Sequence, residues 1–123
     1  MPAITQPTDL NAAWAERFNA ADVEGMLALA EPGSAFVPQP GAVVTGDDHR
    51  GALEQFLSLG LPVHLTLRHS IVSGDIALLV CDWTITGTDR QGNTIDMAGS
   101  TADVARNSTE GWRFVIDNPF GTA

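Results

Sequence analysis

Asp82 and His69 are the two side chains of this 123-residue chain whose positions best suit proton transfer. Asp82 lies in an otherwise apolar run, so an inward-facing carboxyl group would be buried there and its pKa would rise. If the adjacent Trp83 faces inward instead, Asp82 faces outward and pairs with Arg68 or Arg106 of a partner chain. We favour the outward, structural position, which leaves the catalytic residues unassigned.

His69 ends the apolar row of its segment and carries that row's only side chain with an unperturbed pKa near neutrality. It is either an acid or base in a cavity or a hydrogen-bonded histidine of the core or its rim, and we favour the second. The other histidines, His49 and His64, are expected to be exposed or on the opposite face. Because none of the three has carboxylates at metal-binding spacing, we predict no metal and no other cofactor.

Several chemistries are excluded by residue type. All six basic residues are arginine, and Schiff-base catalysis needs the side-chain amine of lysine. Cys81 is the single cysteine, so it forms no intrachain disulfide, which fits a reducing compartment. We expect it to be a small buried hydrophobe, since no cation or helix start is predicted beside it to form a thiolate.

Charge and hydropathy restrict the possible partners. Fifteen acidic residues against six basic ones give a net charge of −9, which repels nucleic-acid phosphates and anionic lipid. No apolar run reaches the roughly 18 residues that a membrane span needs, and residues 1–7 do not resemble a signal peptide. We therefore expect one cytoplasmic domain that binds neither nucleic acid nor membranes.

The order of the elements predicts the fold class. Residues 8–60 show helical spacing in three short segments around two brief extended pieces, with Asp22 and Asp47 as helix caps and Gly60 as a stop. Residues 61–120 alternate like four strands, of which 94–106 is one. Helices segregated from an antiparallel sheet make an α+β domain, in which three N-terminal helices close one face of a curved sheet.

Alternation in the strands predicts which side chains share a face. One row of the first long strand is apolar, namely Val63, Leu65, Leu67, His69 and Ile71. The next strand, residues 76–87, is apolar on both faces, so we expect a homodimer that covers the outer one. A turn near residues 90–91 places Trp83 opposite Ala98 and Cys81 opposite Ser100. The small row Ala98, Ser100 and Ala102 leaves room for a cavity, unless Trp14 and Phe18 fill it.

Three segments carry a resemblance to a known family: residues 18–29 (FNAADVEGMLAL), 46–51 (GDDHRG) and 111–121 (GWRFVIDNPFG). With these segments the chain resembles the nuclear transport factor 2-like superfamily, and within it the polyketide-cyclase-like and ketosteroid-isomerase-like members. The resemblance implies a cone-shaped, cystatin-like half-barrel. It also implies an open apolar cavity and a dimer formed through the outer face of the sheet.

The catalytic positions of the isomerase branch can be compared with this sequence. Its tyrosine falls at Trp14, its carboxylate base at Gln39 or an adjacent proline, and its oxyanion-binding aspartic acid near Ala102, one residue before Asp103. The chain has no tyrosine, so steroid isomerisation by that mechanism is not expected. Cyclase-like members use an aspartate of the sheet, for which Asp82, Asp96 or Asp103 could serve.

These observations leave three functions open. The first is a protein that binds a small apolar or cyclic organic molecule. The second is a cofactor-free acid–base enzyme, cyclase- or isomerase-like, acting on a polyketide-like or cyclic substrate. The third is a non-catalytic dimerisation module. We predict that the cavity is lined by Trp14, Phe18, Phe36, Trp83, Ser100, Ile116, Asn118 and Phe120, with Asn118 either orienting a ligand or satisfying nearby backbone.

Overall fold

The computed structural model describes residues 3–123 and confirms the α+β class. Within that range the three helices are α1 (Thr8–Asn19), α2 (Val23–Ala28) and α3 (Gly46–Leu57). The strands are β1 (Ala30–Gln39), β2 (Ala42–Val44), β3 (Val63–Ser73), β4 (Ile76–Thr88), β5 (Thr94–Ser100), β6 (Asp103–Ser108) and β7 (Gly111–Asp117). No helix in this part of the chain is long and apolar enough to cross a membrane.

The sheet is curved and unclosed, with strand order β2-β1-β7-β6-β4-β3, and β5 pairs with the distal half of β4. It is mixed rather than antiparallel, because β1 runs parallel to β7. The backbone N–H of Phe114 in β7 donates to the carbonyl of Leu29 at the end of α2, at 2.8 Å. This bond starts β1 alongside β7, so the chain enters the sheet in the same direction as its last strand.

Two of the predicted helix boundaries are confirmed and one is wrong. Asp22 caps α2 by accepting a hydrogen bond from the backbone N–H of Gly25 at 2.9 Å, and Gly60, with φ +69°, follows α3. Asp47 does not cap α3, because the helix already begins at Gly46 and Asp47 lies in its first turn. The face of α3 that packs on the sheet includes His49, which is buried against Phe36 at 5.0 Å between ring centroids rather than exposed.

The predicted strand 94–106 is divided in two at Thr101 and Ala102. The N–H of Thr101 donates to the carbonyl of Cys81 at 2.7 Å, and that of Ala102 donates to the carbonyl of Asn118 at 2.9 Å. The chain therefore changes its pairing partner at this point. β5 pairs only with β4, whereas β6 lies between β4 and β7.

Two irregularities reverse the faces that alternation alone predicts. In β3, Leu67 pairs with Cys81 but His69 pairs with Val80, so Arg68 is an extra residue. In β7 a similar shift leaves Val115 extra between Phe114 and Ile116. Because each inserted residue exchanges inward and outward side chains, residues after Arg68 or Val115 lie on the face opposite to the predicted one.

The β4–β5 register also differs from the predicted one by a single residue. Trp83 pairs with Gly99, and Asp82 pairs with Ser100. The hairpin turn is held by Asp89, whose carboxylate accepts from the N–H groups of Gln91 and Asn93 at 3.0 and 2.8 Å. The predicted small row is consequently on the outer face, and the inward residues of β5 are Ile95, Met97 and Gly99.

The interior contains two apolar clusters that meet at α1. Side chains of α1, β4, β6 and β7, together with the residue that follows α2, form the first. Its buried members are Leu10, Leu29, Ala77, Leu79, Ala105, Trp112 and Phe114. Helices α1 to α3 pack on the other half of the sheet to form the second, whose buried members are Phe18, Met26, Phe36, Leu53, Val63, Trp83 and Ile85. Trp14 contacts both clusters.

Candidate functional site

A cavity lies between the helices and the inner face of the sheet. The space open to the centres of water molecules is about 40 Å³, which holds a few waters. Most of its wall is apolar and aromatic, formed by Trp14, Phe18, Phe36, Phe56, Val63, Leu65, Trp83, Ile85, Phe114 and Pro119. The polar part of the wall consists of Asn11, Thr101, Asp103 and Asp117.

Two carboxyl groups, Asp103 and Asp117, are brought together in this wall. Asp103 is the first residue of β6 and pairs with the inward-facing Leu79, so its side chain also faces inward. Asp117 ends β7 and faces inward because of the extra residue Val115. Their exposed fractions are 1% and 6%.

Asp103 is surrounded by hydrogen-bond donors. Its Oδ2 accepts from Nδ2 of Asn11 at 3.0 Å, and its Oδ1 accepts from the backbone N–H of Asn118 at 2.8 Å. The neighbouring side chains of Thr101 and Asp117 also lower its pKa. Burial nevertheless outweighs these donors and raises the pKa of Asp103 to about 6.

Asp117 holds its proton more firmly than Asp103. Burial raises its pKa well above the usual value, and the neighbouring Asp103 carboxylate raises the pKa further by charge repulsion and by accepting the Asp117 hydroxyl hydrogen. Burial and mutual repulsion therefore favour retention of a proton by the pair, and that proton belongs to the two groups together. Two carboxyl groups with raised pKa values thus lie on a mainly apolar wall.

Asn11 completes the polar wall from the helical side. Asn11, Trp14 and Phe18 lie on one face of α1 at a spacing of three and then four residues. Asn11 is 6% exposed, and Nδ2 of its amide donates to Asp103. Its Oδ1 is buried and has no hydrogen-bond partner among residues 3–123.

Four of the eight predicted lining residues lie in the cavity wall: Trp14, Phe18, Phe36 and Trp83. The rings of Trp14 and Phe18 stack at 5.3 Å. Phe120 lies just behind the wall, edge-to-face on Trp83 at 5.7 Å. The indole N–H of Trp83 donates to the carbonyl of Pro119 at 2.6 Å. This hydrogen bond holds the C-terminal segment against this side of the cavity.

The other predicted residues lie elsewhere. Ser100 is on the outer face, where its hydroxyl donates to Asp82 at 2.7 Å, because of the one-residue difference in register. Ile116 is 38% exposed on the outer face because of the extra residue Val115. Asn118 contributes its backbone N–H to Asp103, while its side-chain amide donates to the carbonyl of Gly121 at 2.9 Å.

Neither proton-transfer candidate named from the sequence lies in the cavity. Asp82 is exposed and pairs with Arg68 of its own chain at 3.3 Å. The Ser100 hydrogen bond, followed by the charge of Arg68, lowers its pKa below the ordinary value. His69 is exposed on the outer face because Arg68 is inserted before it in β3.

Of the three aspartates considered for a cyclase-like role, only Asp103 faces inward. Asp96 is exposed opposite Thr86. At the isomerase positions, Trp14 lines the cavity and Gln39 is exposed at the end of β1. Sequence reasoning missed Asn11, Thr101 and Asp117. The helical spacing of Asn11 with Trp14 and Phe18 could have identified Asn11 as a lining residue. Nothing in the hydrophobic pattern indicates the inserted residue Val115, which turns Asp117 inward.

The remaining buried titratable groups do not form a second reactive cluster. Burial raises the pKa of the Cys81 thiol to about 12 and lowers that of His49. Cys81 is a free, buried thiol, in agreement with its predicted place in the core. In the part of the chain that the structure describes, no group of three or more His, Cys, Asp or Glu side chains could hold a metal ion.

Comparisons with known proteins agree with the fold. Residues 12–117 match the SnoaL-like domain family, and no curated protein matches the chain. A conserved protein from Planctomyces limnophilus is similar in structure, with TM-score 0.79, 20% identity and coverage of 89% of this chain and 88% of that one. A ketosteroid isomerase-like protein from Erwinia carotovora atroseptica follows with TM-score 0.76, 19% identity and coverage of 89% and 88%.

A third similar structure is an NTF2-like protein with a cystatin-like fold from Novosphingobium aromaticivorans. Its TM-score is 0.70 at 18% identity, with coverage of 89% of this chain and 75% of that one. At such identities the likeness shows the fold alone. The resemblance to the nuclear transport factor 2-like superfamily is confirmed.

Proposed function

We propose, for a chain that belongs to the SnoaL-like domain family, that it binds a small, mainly apolar organic molecule in the cavity and transfers a proton to or from it. Members of this family include ligand-binding and isomerase- or cyclase-like proteins. The observation that carries the proposal is the buried Asp103–Asp117 pair in an otherwise aromatic wall. This is the second of the three functions considered above, with a different pair of residues.

The pair is hard to explain as a device for stability. Removing a carboxyl group from water is costly unless the charge is compensated, and no arginine or histidine forms an ion pair with Asp103 or Asp117 within residues 3–123. Apolar residues of similar volume in these positions would cost the fold less. A strongly perturbed carboxyl pair beside a cavity is typical of acid–base sites.

The arrangement supports proton transfer next to a carbonyl group. In the proposed step the Asp103 carboxylate removes a proton from the carbon beside the carbonyl, and the electrons of that C–H bond form a C=C bond. The carbonyl π electrons move to oxygen, which takes the proton of Asp117. The pair still holds one proton afterwards, now on Asp103, and transfer of that proton to Asp117 restores the starting state.

The aromatic wall supports binding and excludes water from this step. Ring faces and edges of Trp14, Phe36 and Trp83 suit a flat apolar molecule, and low polarity strengthens the interactions of the carboxyl pair. The cavity is small, so we expect the segment around Pro119 and Phe120 to move when a larger ligand binds. The Trp83–Pro119 hydrogen bond and the ring contact between Trp83 and Phe120 oppose that movement, as do the hydrogen bonds of Asn118 to Asp103 and Gly121.

Proton exchange on a simple ketone tests the proposal. Cyclopentanone in D₂O with catalytic amounts of protein is followed by NMR for loss of the protons next to its carbonyl. We expect acceleration over buffer, and a loss of about 10²-fold or more in Asp117→Asn. Asp82→Asn, which neutralises the outer-face aspartate, serves as the matched control and should keep the wild-type rate. Equal rates for Asp117→Asn and wild type would contradict the catalytic role.

Native against denaturing mass spectrometry of the purified protein tests binding separately from catalysis. An extra small mass that denaturation releases would support a binding cavity and provide the ligand for identification. Binding without proton exchange would favour the first of the three functions, a small-molecule-binding protein.

A row of apolar side chains supports a homodimer as a second proposal. Ile71, Leu78, Val104 and Ile116 pair successively across β3, β4, β6 and β7 on the outer face. The first, second and last of these are 59%, 38% and 38% exposed, and such a contiguous patch favours association. In sedimentation velocity we expect wild-type protein to be dimeric and Leu78→Arg to be monomeric. Thr84→Arg, on the same strand and face but outside the row, should remain dimeric. A monomeric wild type would contradict the proposal.

We also propose a cytoplasmic location. The single cysteine, Cys81, is free and buried, and unpaired thiols are usual in reducing compartments. Fractionation of the source cells followed by immunodetection should recover the protein with cytoplasmic markers, and recovery with a secreted or periplasmic fraction would contradict this location.

A further inference from the structure

The amide nitrogen of Asn11 has a hydrogen-bond partner, whereas the amide oxygen has none in the part of the chain that the structure describes. Nδ2 donates to Asp103 at 3.0 Å, whereas Oδ1 is buried and accepts no hydrogen bond from any of residues 3–123. An unsatisfied buried acceptor is costly, and each such group in a folded protein calls for an explanation. Asn11 is one of the residues that line the cavity.

The orientation of the amide is fixed by its neighbour. Oδ2 of Asp103 accepts from Nδ2 of Asn11, and its other oxygen already accepts from the N–H of Asn118 at 2.8 Å. Rotation of the Asn11 amide by 180° would place its oxygen against the carboxylate and break the Nδ2 bond. The acceptor Oδ1 is therefore held away from Asp103 and kept available.

We infer that Asn11 determines ligand specificity, with its Oδ1 accepting a hydrogen bond from a hydroxyl group on an otherwise apolar ring. This inference rests on the proposed function, since it concerns a ligand of the same cavity. It narrows the ligand class to cyclic carbonyl compounds that also carry a hydroxyl group, and disfavours those in which an ether or a hydrogen replaces that hydroxyl. A hydroxyl group satisfies the acceptor, whereas an ether leaves it without a hydrogen bond, and sites with buried polar groups discriminate strongly between such ligands.

Phenol and anisole form a matched pair of probes, because a methyl group in anisole replaces the hydroxyl hydrogen of phenol. Both are titrated into protein carrying ¹³C-labelled asparagine, and cavity resonances give the two dissociation constants. In wild type we expect phenol to bind roughly tenfold more tightly than anisole, and phenol alone to shift the Asn11 carbonyl carbon. In Asn11→Leu the ratio of the two constants should fall to about one.

Ser100→Ala is the control variant, because it removes a hydroxyl group that faces outward and donates to Asp82, away from the cavity. It should keep the preference for phenol. A preference that persists in Asn11→Leu would overturn the inference by assigning the hydroxyl to Asp103 or Asp117. If Asn11→Leu fails to fold, the wild-type carbon shift decides, and an Asn11 carbon that does not respond to phenol overturns it.

Failure of this inference is distinguishable from failure of the proposed function. Equal binding of both probes to wild type overturns the role of Asn11 and leaves the binding cavity in place. Absence of any change at cavity residues with either probe overturns the proposed binding function, and the specificity of Asn11 with it.

Discussion

The two faces of the sheet carry aspartates in opposite chemical states. On the outer face Asp82 is exposed, accepts from the Ser100 hydroxyl and pairs with Arg68, and these contacts lower its pKa. On the inner face Asp103 also has a neighbouring hydroxyl, from Thr101, yet burial raises its pKa to about 6. Burial therefore determines which carboxylate is suited to proton transfer at neutral pH, and the presence of a hydroxyl neighbour does not.

The inner and outer faces also differ in packing, and two adjacent leucines of β4 test that difference. Leu79 is fully buried, whereas Leu78 is 38% exposed. Leu79→Ala should lower the free energy of unfolding by about 2–5 kcal/mol, and Leu78→Ala by about 1 kcal/mol or less. Urea unfolding of dilute protein, followed by tryptophan fluorescence, measures both. Equal losses would mean that the outer face is covered in solution even at low concentration.

The pH dependence of stability should come from the inner face. The folded pKa of Asp103, about 6, lies above its unfolded value near 4, so the folded protein binds the proton more tightly than the unfolded chain does. The contribution of this group to the free energy of unfolding is therefore complete below about pH 4. It falls by about 3 kcal/mol as the pH rises through 6. The raised pKa of Asp117 extends the loss to higher pH.

Chemical denaturation between pH 4 and 8 checks this prediction, with Asp103→Asn as the variant and Asp82→Asn as the control. The loss of stability with rising pH should be smaller in Asp103→Asn than in wild type. Asp82 has a lowered pKa and is exposed, so its contribution is small and of the opposite sign. A wild type whose stability is constant or increases from pH 5 to 8 would contradict a buried, proton-sharing pair.

The smallest expected difference concerns the two hydroxyl groups that flank the aspartates. Thr101 accepts from the N–H of Cys81 at 2.9 Å in the interior, so Thr101→Val leaves a buried donor unpaired and should cost about 1–3 kcal/mol. Ser100→Ala on the exposed face should change stability by about 0.5 kcal/mol or less. Thermal unfolding of the two variants distinguishes the sites, and a larger loss for Ser100→Ala would reverse the assignment of the faces.

The sequence predicted the class of fold because helical and strand periodicity occupy separate parts of the chain. Four of the residues predicted to line the cavity, Trp14, Phe18, Phe36 and Trp83, lie in its wall, and Trp14 and Phe18 share the helical spacing of α1. Regular alternation failed where one residue is inserted, at Arg68 and at Val115. The candidate His69 was lost and Asp117 was missed for that reason, because inserted residues leave no mark in the hydrophobic pattern.

Alternation within a single strand could not predict the Asp103–Asp117 pair, for a different reason. The two residues belong to β6 and β7, and they meet only because Val104 pairs with Ile116 while Val115 is extra. Asp103 was among three sheet aspartates that the family resemblance offered, and alternation could not choose between them. The pairing register decides which carboxyl group is buried, and register depends on turns and inserted residues rather than on the strand's own composition.

Titration of the aspartate carboxyl carbons by ¹³C NMR tests the central claim most directly. Spectra of wild type from pH 2 to 9 are assigned with Asp103→Asn, Asp117→Asn and Asp82→Asn. We predict that one proton of the inner pair remains bound at neutral pH and that the pair begins to titrate near pH 6, while Asp82 titrates below its ordinary value. If Asp103 and Asp117 both ionise near pH 4, as Asp residues in water do, the pair holds no proton at neutral pH and the proposed acid–base site is wrong.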